Sequence, residues 1–261
     1  MLEQIQSTIS LLKKQKPLIL CLTNYVTMDF MANSLLALGA APLMSESRDE
    51  IEELTQLSQA VYINIGTLND VFMDKAQLAA QFAHSIGKPL ILDPVGAGAS
   101  KLRTAAAMKL LPYAQAIRGN ASEIISLSGA NGGTKGVEST DPVMTAIKSA
   151  ALVAQSQKTV VISGPEDFIT NGVEQKLLPF GSSYMPLITG MGCTMTAVIS
   201  AFIACHSHHF QAALEATAYF GLCGQLAHEQ AKGPASFKQV FVDNLYNPDW
   251  TSMSQIIERV S

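Results

Sequence analysis

The chain has 261 residues, with 17 Lys and Arg against 21 Asp and Glu and a formal net charge of -4, and it carries no run of five or six like charges and no basic stripe. A nucleic-acid or anionic-membrane surface is therefore not expected. Hydrophobic residues make up 48% and charged ones 15%, enough for the core of one large α/β domain spanning 1–261, with a surplus of apolar residues that a subunit interface would bury.

In chain order, residues 1–16 read as an amphipathic helix without the basic region, apolar core and cleavage site of a secretory signal, so the chain is expected in the cytoplasm. Apolar runs rich in β-formers recur at Leu18 to Leu22, Val61 to Ile65, Leu90 to Leu92, Ala114 to Ile117 and Val160 to Ile162. Because helical patterns separate them, they predict a mainly parallel sheet covered on both faces. Met28, Met31, Leu35 and Leu38 repeat at helical spacing ahead of Gly39, which predicts a buried helix with a C-terminal glycine. Asn171-Gly172, between two short β-like runs, predicts a type I′ hairpin. Helices are then expected over Cys193 to Ala204, Phe210 to Ala231 and Ser252 to Val260.

The longest apolar run, Thr196 to Cys205, is far short of the roughly 18 to 20 residues of a membrane span. Cys21, Cys193, Cys205 and Cys223 are widely separated, have no CxxC spacing and predict free thiols.

Four segments combine strand or helix ends with residues suited to phosphate and metal chemistry. In Thr189 to Thr196, two glycines precede an apolar helix, so inward-facing amides at a helix N-terminus would attract an anion; an ordinary tight turn has the same pattern. In Leu92 to Gly98, Asp93 ends a buried strand, where it would hold a hydrated Mg²⁺ or serve as a turn residue before Pro94. In Arg118 to Glu123, Asn120 and Glu123 have capping-box spacing, while Glu123 could also reach a metal-bound water and Arg118 a nucleotide phosphate. In Val160 to Gly164, a buried strand ends in Ser163 and a glycine that admits a flat or anionic group close to the backbone. His206, His208 and His209 read as a solvated or helix-capping cluster, and His228 and Cys223 as core residues.

Taken together, TNYVTMDFMAN, GAAPLMSE, ILDPVGAG, RGNASEI, VVISG and TGMGCTMTA, in this order and over about Pro17 to Gly233, resemble the hydroxyethylthiazole kinases of the ribokinase-like superfamily. The resemblance implies a mostly parallel central sheet flanked by helices without a separate lid domain, and a homotrimer with active sites between subunits. It implies ATP- and Mg²⁺-dependent phosphorylation of the primary alcohol of 4-methyl-5-(2-hydroxyethyl)thiazole in thiamine biosynthesis or salvage. The thiazole would lie near Met44 and Gly190 with Asn24 nearby, the ATP phosphates at Arg118 and the nucleotide also against Ser163. Asp93 and Glu123 would hold Mg²⁺ directly or through water, and Gly190, Met191, Gly192 and Cys193 would form the anion hole. Cys193 takes the position where the wider superfamily carries an aspartate base.

A helix N-terminus lowers a thiol pKa, which makes a Cys193 thiolate base conceivable; a space-filling thiol is the alternative. The competing functions are another ribokinase-like kinase, such as one for hydroxymethylpyrimidine, and a catalytically silent nucleotide-binding protein. The cysteine and the missing β lid argue against the first, and the full set of phosphate and metal residues against the second.

Overall fold

The computed structural model describes residues 1–129, 142–155 and 157–260. Helix α1 (Leu2–Gln15) leads into β1 (Leu18–Leu22), α2 (Met28–Leu38), β2 (Ala41–Leu43), α3 (Ile51–Leu57), β3 (Ala60–Asn64), α4 (Asp70–Ser85) and β4 (Leu90–Asp93). There follow α5 (Lys101–Leu110), β5 (Ala116–Asn120), α6 (Ala121–Leu127), α7 (Pro142–Ala154), β6 (Thr159–Ser163), β7 (Asp167–Thr170) and β8 (Gln175–Leu178). Four helices close the chain: α8 (Met191–Ala204), α9 (His209–Gln230), α10 (Pro234–Tyr246) and α11 (Trp250–Val260). No helix among the described residues is long and apolar enough to cross a membrane.

The eight strands form one sheet in the order β2-β1-β3-β4-β5-β6-β7-β8. Strands β1 to β6 pair in parallel, while β7 and β8 add an antiparallel edge. The alternation of strand side chains divides the core into two. Ile19, Cys21, Tyr62, Ile91 and Val161 face the layer that includes α1, α2 and α8 to α11. Leu20, Leu22, Val61, Ile63, Leu90 and Leu92 face α3 to α7. Both faces are thus covered, and that is why these strands read as continuous apolar runs.

The expected strands all form, the first with the expected bounds and the others with ends shifted by at most three residues. Strand β2 was not anticipated, because Ala41-Pro42-Leu43 is three residues long and lies at the sheet edge, where a proline is tolerated. The hairpin after β7 is not a two-residue type I′ turn. Its loop is residues 171–174; the Asn171 carboxamide accepts from the amides of Val173 and Glu174 at 2.9 and 2.7 Å, and of these residues only Gly172 has positive φ. A type I′ turn needs positive φ at both central residues, and Asn171 instead spends its side chain capping the loop.

All four cysteines are free. Cys223 is buried as expected, but His228 is not a core residue: it is exposed, with Nδ1 2.9 Å from Ser182 Oγ and its ring 4.6 Å from that of Tyr184. His206 and His208 lie in the exposed link between α8 and α9, where the His208 amide donates to His206 Nδ1 at 3.1 Å. No group of three or more His, Cys, Asp or Glu among the described residues is placed to hold a metal ion.

The strand order puts β2 and β3 on opposite sides of β1. The connection leaving β1 therefore runs to β2 on one side and that leaving β3 to β4 on the other, which makes the C-terminal ends of β1 and β3 the crevice where open α/β sheets bind ligands.

Candidate active site

Asn24, just beyond β1, and Asn64, the last residue of β3, face each other across that crevice, and Asn24 Nδ2 donates to Asn64 Oδ1 at 3.0 Å. Parallel register sets Asn64 beside Asp93, the last residue of β4. Asn64 Nδ2 then donates to Asp93 Oδ2 at 2.8 Å and to the Tyr62 hydroxyl at 2.9 Å. Thr196 Oγ1 donates to the same Asp93 oxygen at 2.9 Å. Asp93 is thus not a turn residue: one of its oxygens is held by donors from β3 and α8. The other, Oδ1, is buried without a hydrogen-bond partner among the described residues. Burial raises the Asp93 pKa to about 6, reinforced by Glu123 and opposed by Arg118 and the hydrogen bonds.

Helix α8 closes the crevice from above. It begins at Met191, two residues earlier than expected, so Cys193 belongs to its first turn. Gly190 caps it at φ 90°, and a Cβ there would lie 2.8 Å from Thr27 Cγ2, so only glycine lets the helix start this close to the loop after β1. Cys193 Sγ accepts from Asn24 Nδ2 at 3.3 Å, and the Cys193 carbonyl accepts from the Tyr62 hydroxyl at 3.0 Å. The expectation of a lowered thiol pKa is not met. Burial raises it, the neighbouring Asp93 charge adds to the rise, and hydrogen bonds such as that from Asn24 oppose it. Of the four residues expected to form the anion hole, Met191 donates its amide to the Ile188 carbonyl at 3.3 Å; the amide of Thr194, the next residue after them, serves the helix by donating to the Gly190 carbonyl.

Next to the crevice, Arg118 on β5 points under the start of α8. A Cβ on Gly192 would fall 2.5 Å from Arg118 Nη1, so the glycine is what lets the guanidinium approach the first turn. Arg118 Nη2 donates to Ser163 Oγ, while its buried Nε has no partner among the described residues. In the β5–β6 register Ser163, at the end of β6, pairs with Asn120, two residues beyond the Arg118–Val161 pair, so strand alternation puts it on the same sheet face as Arg118. Arg118, Ser163 and Gly192 line a cleft of about 750 Å³ that continues along Pro179, Phe180 and Met185.

Glu123 forms the capping box the sequence suggested: Oε2 accepts from the Asn120 amide and the Asn120 side chain from the Glu123 amide. Its Oε1 additionally accepts from Gly96 at 2.8 Å, which ties the loop after β4 to the start of α6. Met44 follows β2 and packs, partly buried, against the core. Its loop is fixed by the buried Lys75, whose Nζ meets Glu46 Oε2 at 2.6 Å, and by the Tyr25 hydroxyl, which donates to the same oxygen at 3.2 Å.

The structure therefore brings Asn24, Cys193 and Asp93 into one hydrogen-bonded network and Arg118, Ser163 and Gly192 into an adjoining cluster. Tyr62, Asn64, Thr196 and Lys75 were missed. Asn64 and Asp93 each end a strand, and strand register is the one signal that pairs them.

The sequence profile of the Hydroxyethylthiazole kinase family matches residues 9–249. A hydroxyethylthiazole kinase of Chlamydia abortus is 43% identical over 99% of this chain and 100% of its own length. Another, from Aliivibrio salmonicida, is 43% identical over 95% of this chain and 94% of its own. Among solved structures, the hydroxyethylthiazole kinase protein of Pyrococcus horikoshii superposes with a TM-score of 0.86 at 34% identity, covering 94% of this chain and 93% of that one. A family profile over nearly the whole chain and relatives of this identity and coverage show that the chain belongs to the hydroxyethylthiazole kinase family.

Proposed function

We propose that this protein transfers the γ-phosphoryl group of ATP to the primary alcohol of 4-methyl-5-(2-hydroxyethyl)thiazole. The observation that carries the reading is the adjacency of two unlike centres at the start of α8. On one side is a half-buried thiol held by Asn24, and on the other a guanidinium pressed against Gly192. An alcohol beside Cys193 and a phosphoryl group on Arg118 would meet at one helix N-terminus, whose dipole favours negative charge.

Phosphoryl transfer asks a protein mainly for alignment and charge neutralisation. Arg118 would take the charge of the transferring group, assisted by the Gly192 and Cys193 amides. Asn24 would fix the thiol beside the substrate hydroxyl, and Cys193 would accept the hydroxyl proton only as a thiolate, having first released its own proton. Gly190 and Met44 would border the thiazole.

The residues fit a divalent cation. Asp93 Oδ1 is a buried carboxylate oxygen without a partner among the described residues, and Mg²⁺ is commonly held through one or two carboxylates together with phosphates and waters. Asp93 would hold it, and Glu123, with both oxygens already accepting amides, would act on its waters. When bound, Mg²⁺ would supply neutralising charge to the phosphates.

The test is ADP release with hydroxyethylthiazole beside hydroxymethylpyrimidine, with and without Mg²⁺. Release should depend on the thiazole and on the metal. Preference for the pyrimidine would sink the substrate assignment, and ATP binding without substrate-dependent release would indicate a silent nucleotide-binding protein.

Assembly as a homotrimer belongs to the same reading. Tyr25 and Val26, beside Asn24, are 58% and 69% exposed, and an aromatic and a β-branched residue at a site's edge suit a subunit contact. Sedimentation at micromolar concentration should give three times the monomer mass, and a fully active monomer would refute the shared-site arrangement.

A further inference from the structure

We propose that Asp167 is a nucleotide-binding residue whose Oδ2 accepts a hydrogen bond from a ribose hydroxyl of the nucleoside triphosphate. This rests on the cleft beside Arg118 being the nucleotide site. Asp167 opens β7 and is 8% exposed, yet it lines that cleft. Oδ1 accepts from the Gly164 amide at 3.1 Å, and no hydrogen bond to Oδ2 occurs among the described residues. No cation lies within ion-pair distance of it among those residues either.

A buried carboxylate left half-paired is costly. Burial raises its pKa to about 6, the Gly164 hydrogen bond and the Arg118 charge only partly opposing. Shaping the turn at Gly164 does not require this, since a neutral Asn would accept the same amide bond. An acceptor-only group facing a cleft suits a ligand that brings a donor, and a ribose hydroxyl is one.

Its place in the fold selects the sugar over the other parts of a nucleotide. Within the cleft's lining, Arg118, Ser163 and Gly192 cluster as a polar group suited to phosphates, and Pro179, Phe180, Met185 and Pro186 supply apolar surface suited to a base. Asp167 is tied to both. It bonds Gly164, next to Ser163, and pairs in the sheet with Leu178, which leads into Pro179. The segment of a nucleotide between its phosphates and its base is the ribose.

The experiment compares kcat/KM for ATP and for 2′,3′-dideoxy-ATP in wild type, Asp167→Asn and Asp167→Ala, with Arg118→Gln as a control for the cleft. Wild type should prefer ATP by roughly tenfold or more, the usual scale for a hydrogen bond to a charged group. Both Asp167 variants should lose most of that preference through a lower value for ATP, while the dideoxy value and the thiazole KM stay within about twofold. Asn keeps the Gly164 acceptor, so it decides the matter if the alanine variant folds poorly.

An equal fall for both nucleotides would show Asp167 to be structural and overturn the inference, as would a wild type indifferent to the hydroxyls. If Arg118→Gln weakens ATP while the Asp167 variants keep full discrimination, only the ribose contact fails. If ATP kinetics are unchanged in all three variants, the assignment of the cleft itself is wrong.

Discussion

Asp93→Asn lowers turnover at saturating substrates and Mg²⁺ by about 10² or more, because it removes the carboxylate that would hold the cation whose charge neutralises the transition state. The amide can reproduce the structural half of the residue. Its oxygen takes the place of Oδ2 and accepts from Asn64 and Thr196, and its NH₂ group occupies the position of the unpartnered Oδ1. Glu123→Ala falls similarly, but it also strips the acceptor from the Gly96 and Asn120 amides. Glu123→Gln, which keeps one acceptor, is therefore the sharper variant. Near wild-type turnover in either the Asp93 or the Glu123 glutamine variant would return that residue to a purely structural role.

The same carboxylate makes an opposite prediction for stability. In the folded chain Asp93 titrates at about 6 against 3.8 for an ordinary aspartate, so the native state holds this proton more tightly than the unfolded one. Stability from this group consequently falls as pH rises from about 4 to about 6, and above that the ionised group costs the ligand-free fold on the order of 3 kcal/mol. Asp93→Asn should raise the melting temperature at neutral pH and have little effect near pH 4. A variant that melts lower at neutral pH would mean that the carboxylate contributes to folding. Mg²⁺ should raise the wild-type melting temperature and leave that of the variant nearly unchanged.

The parallel sheet was legible because its strands are covered on both faces and cannot carry polar residues until they end. That same property marked Asp93 and Ser163, each the first polar residue after a buried run. It did not reveal Asn64, since which strand ends meet depends on the order β1-β3-β4, a tertiary fact absent from local pattern. The capping box at Asn120 was legible because its partners are three residues apart, whereas the Glu123 bond to Gly96 spans two loops. For Cys193 the local signal misled. The field of a helix terminus can be read from sequence, but burial and the charge of Asp93, 100 residues away in the chain, outweigh it. Asp167 went unmarked because its cleft is assembled from β5, β6, the segment after β8 and α8.

The raised thiol pKa sharpens the test of Cys193. A thiol that stays protonated at neutral pH is a poor resting base, so proton transfer at this position must follow substrate binding or contribute little. Cys193→Ala should lower turnover only in part, because a positioned base typically contributes about 10² to 10⁴ at most while Arg118, the helix amides and the carboxylates remain. Cys193→Asp places a stronger resting acceptor on the first turn of α8, where the helix dipole favours its charge and Asn24 Nδ2 can donate to it. Asp93 opposes this by repulsion, but its own pKa shows that it already shares the region with Glu123 under the influence of Arg118. Turnover in the aspartate variant should therefore equal or exceed that of wild type. Both variants are to be measured for ATP turnover on hydroxyethylthiazole, with KM for the thiazole determined separately so that lost packing is not mistaken for lost proton transfer. Full turnover in Cys193→Ala would make the thiol a filler of space under the alcohol. A collapse in Cys193→Asp at unchanged KM would show that a second negative charge beside Asp93 costs the transition state more than a better base returns.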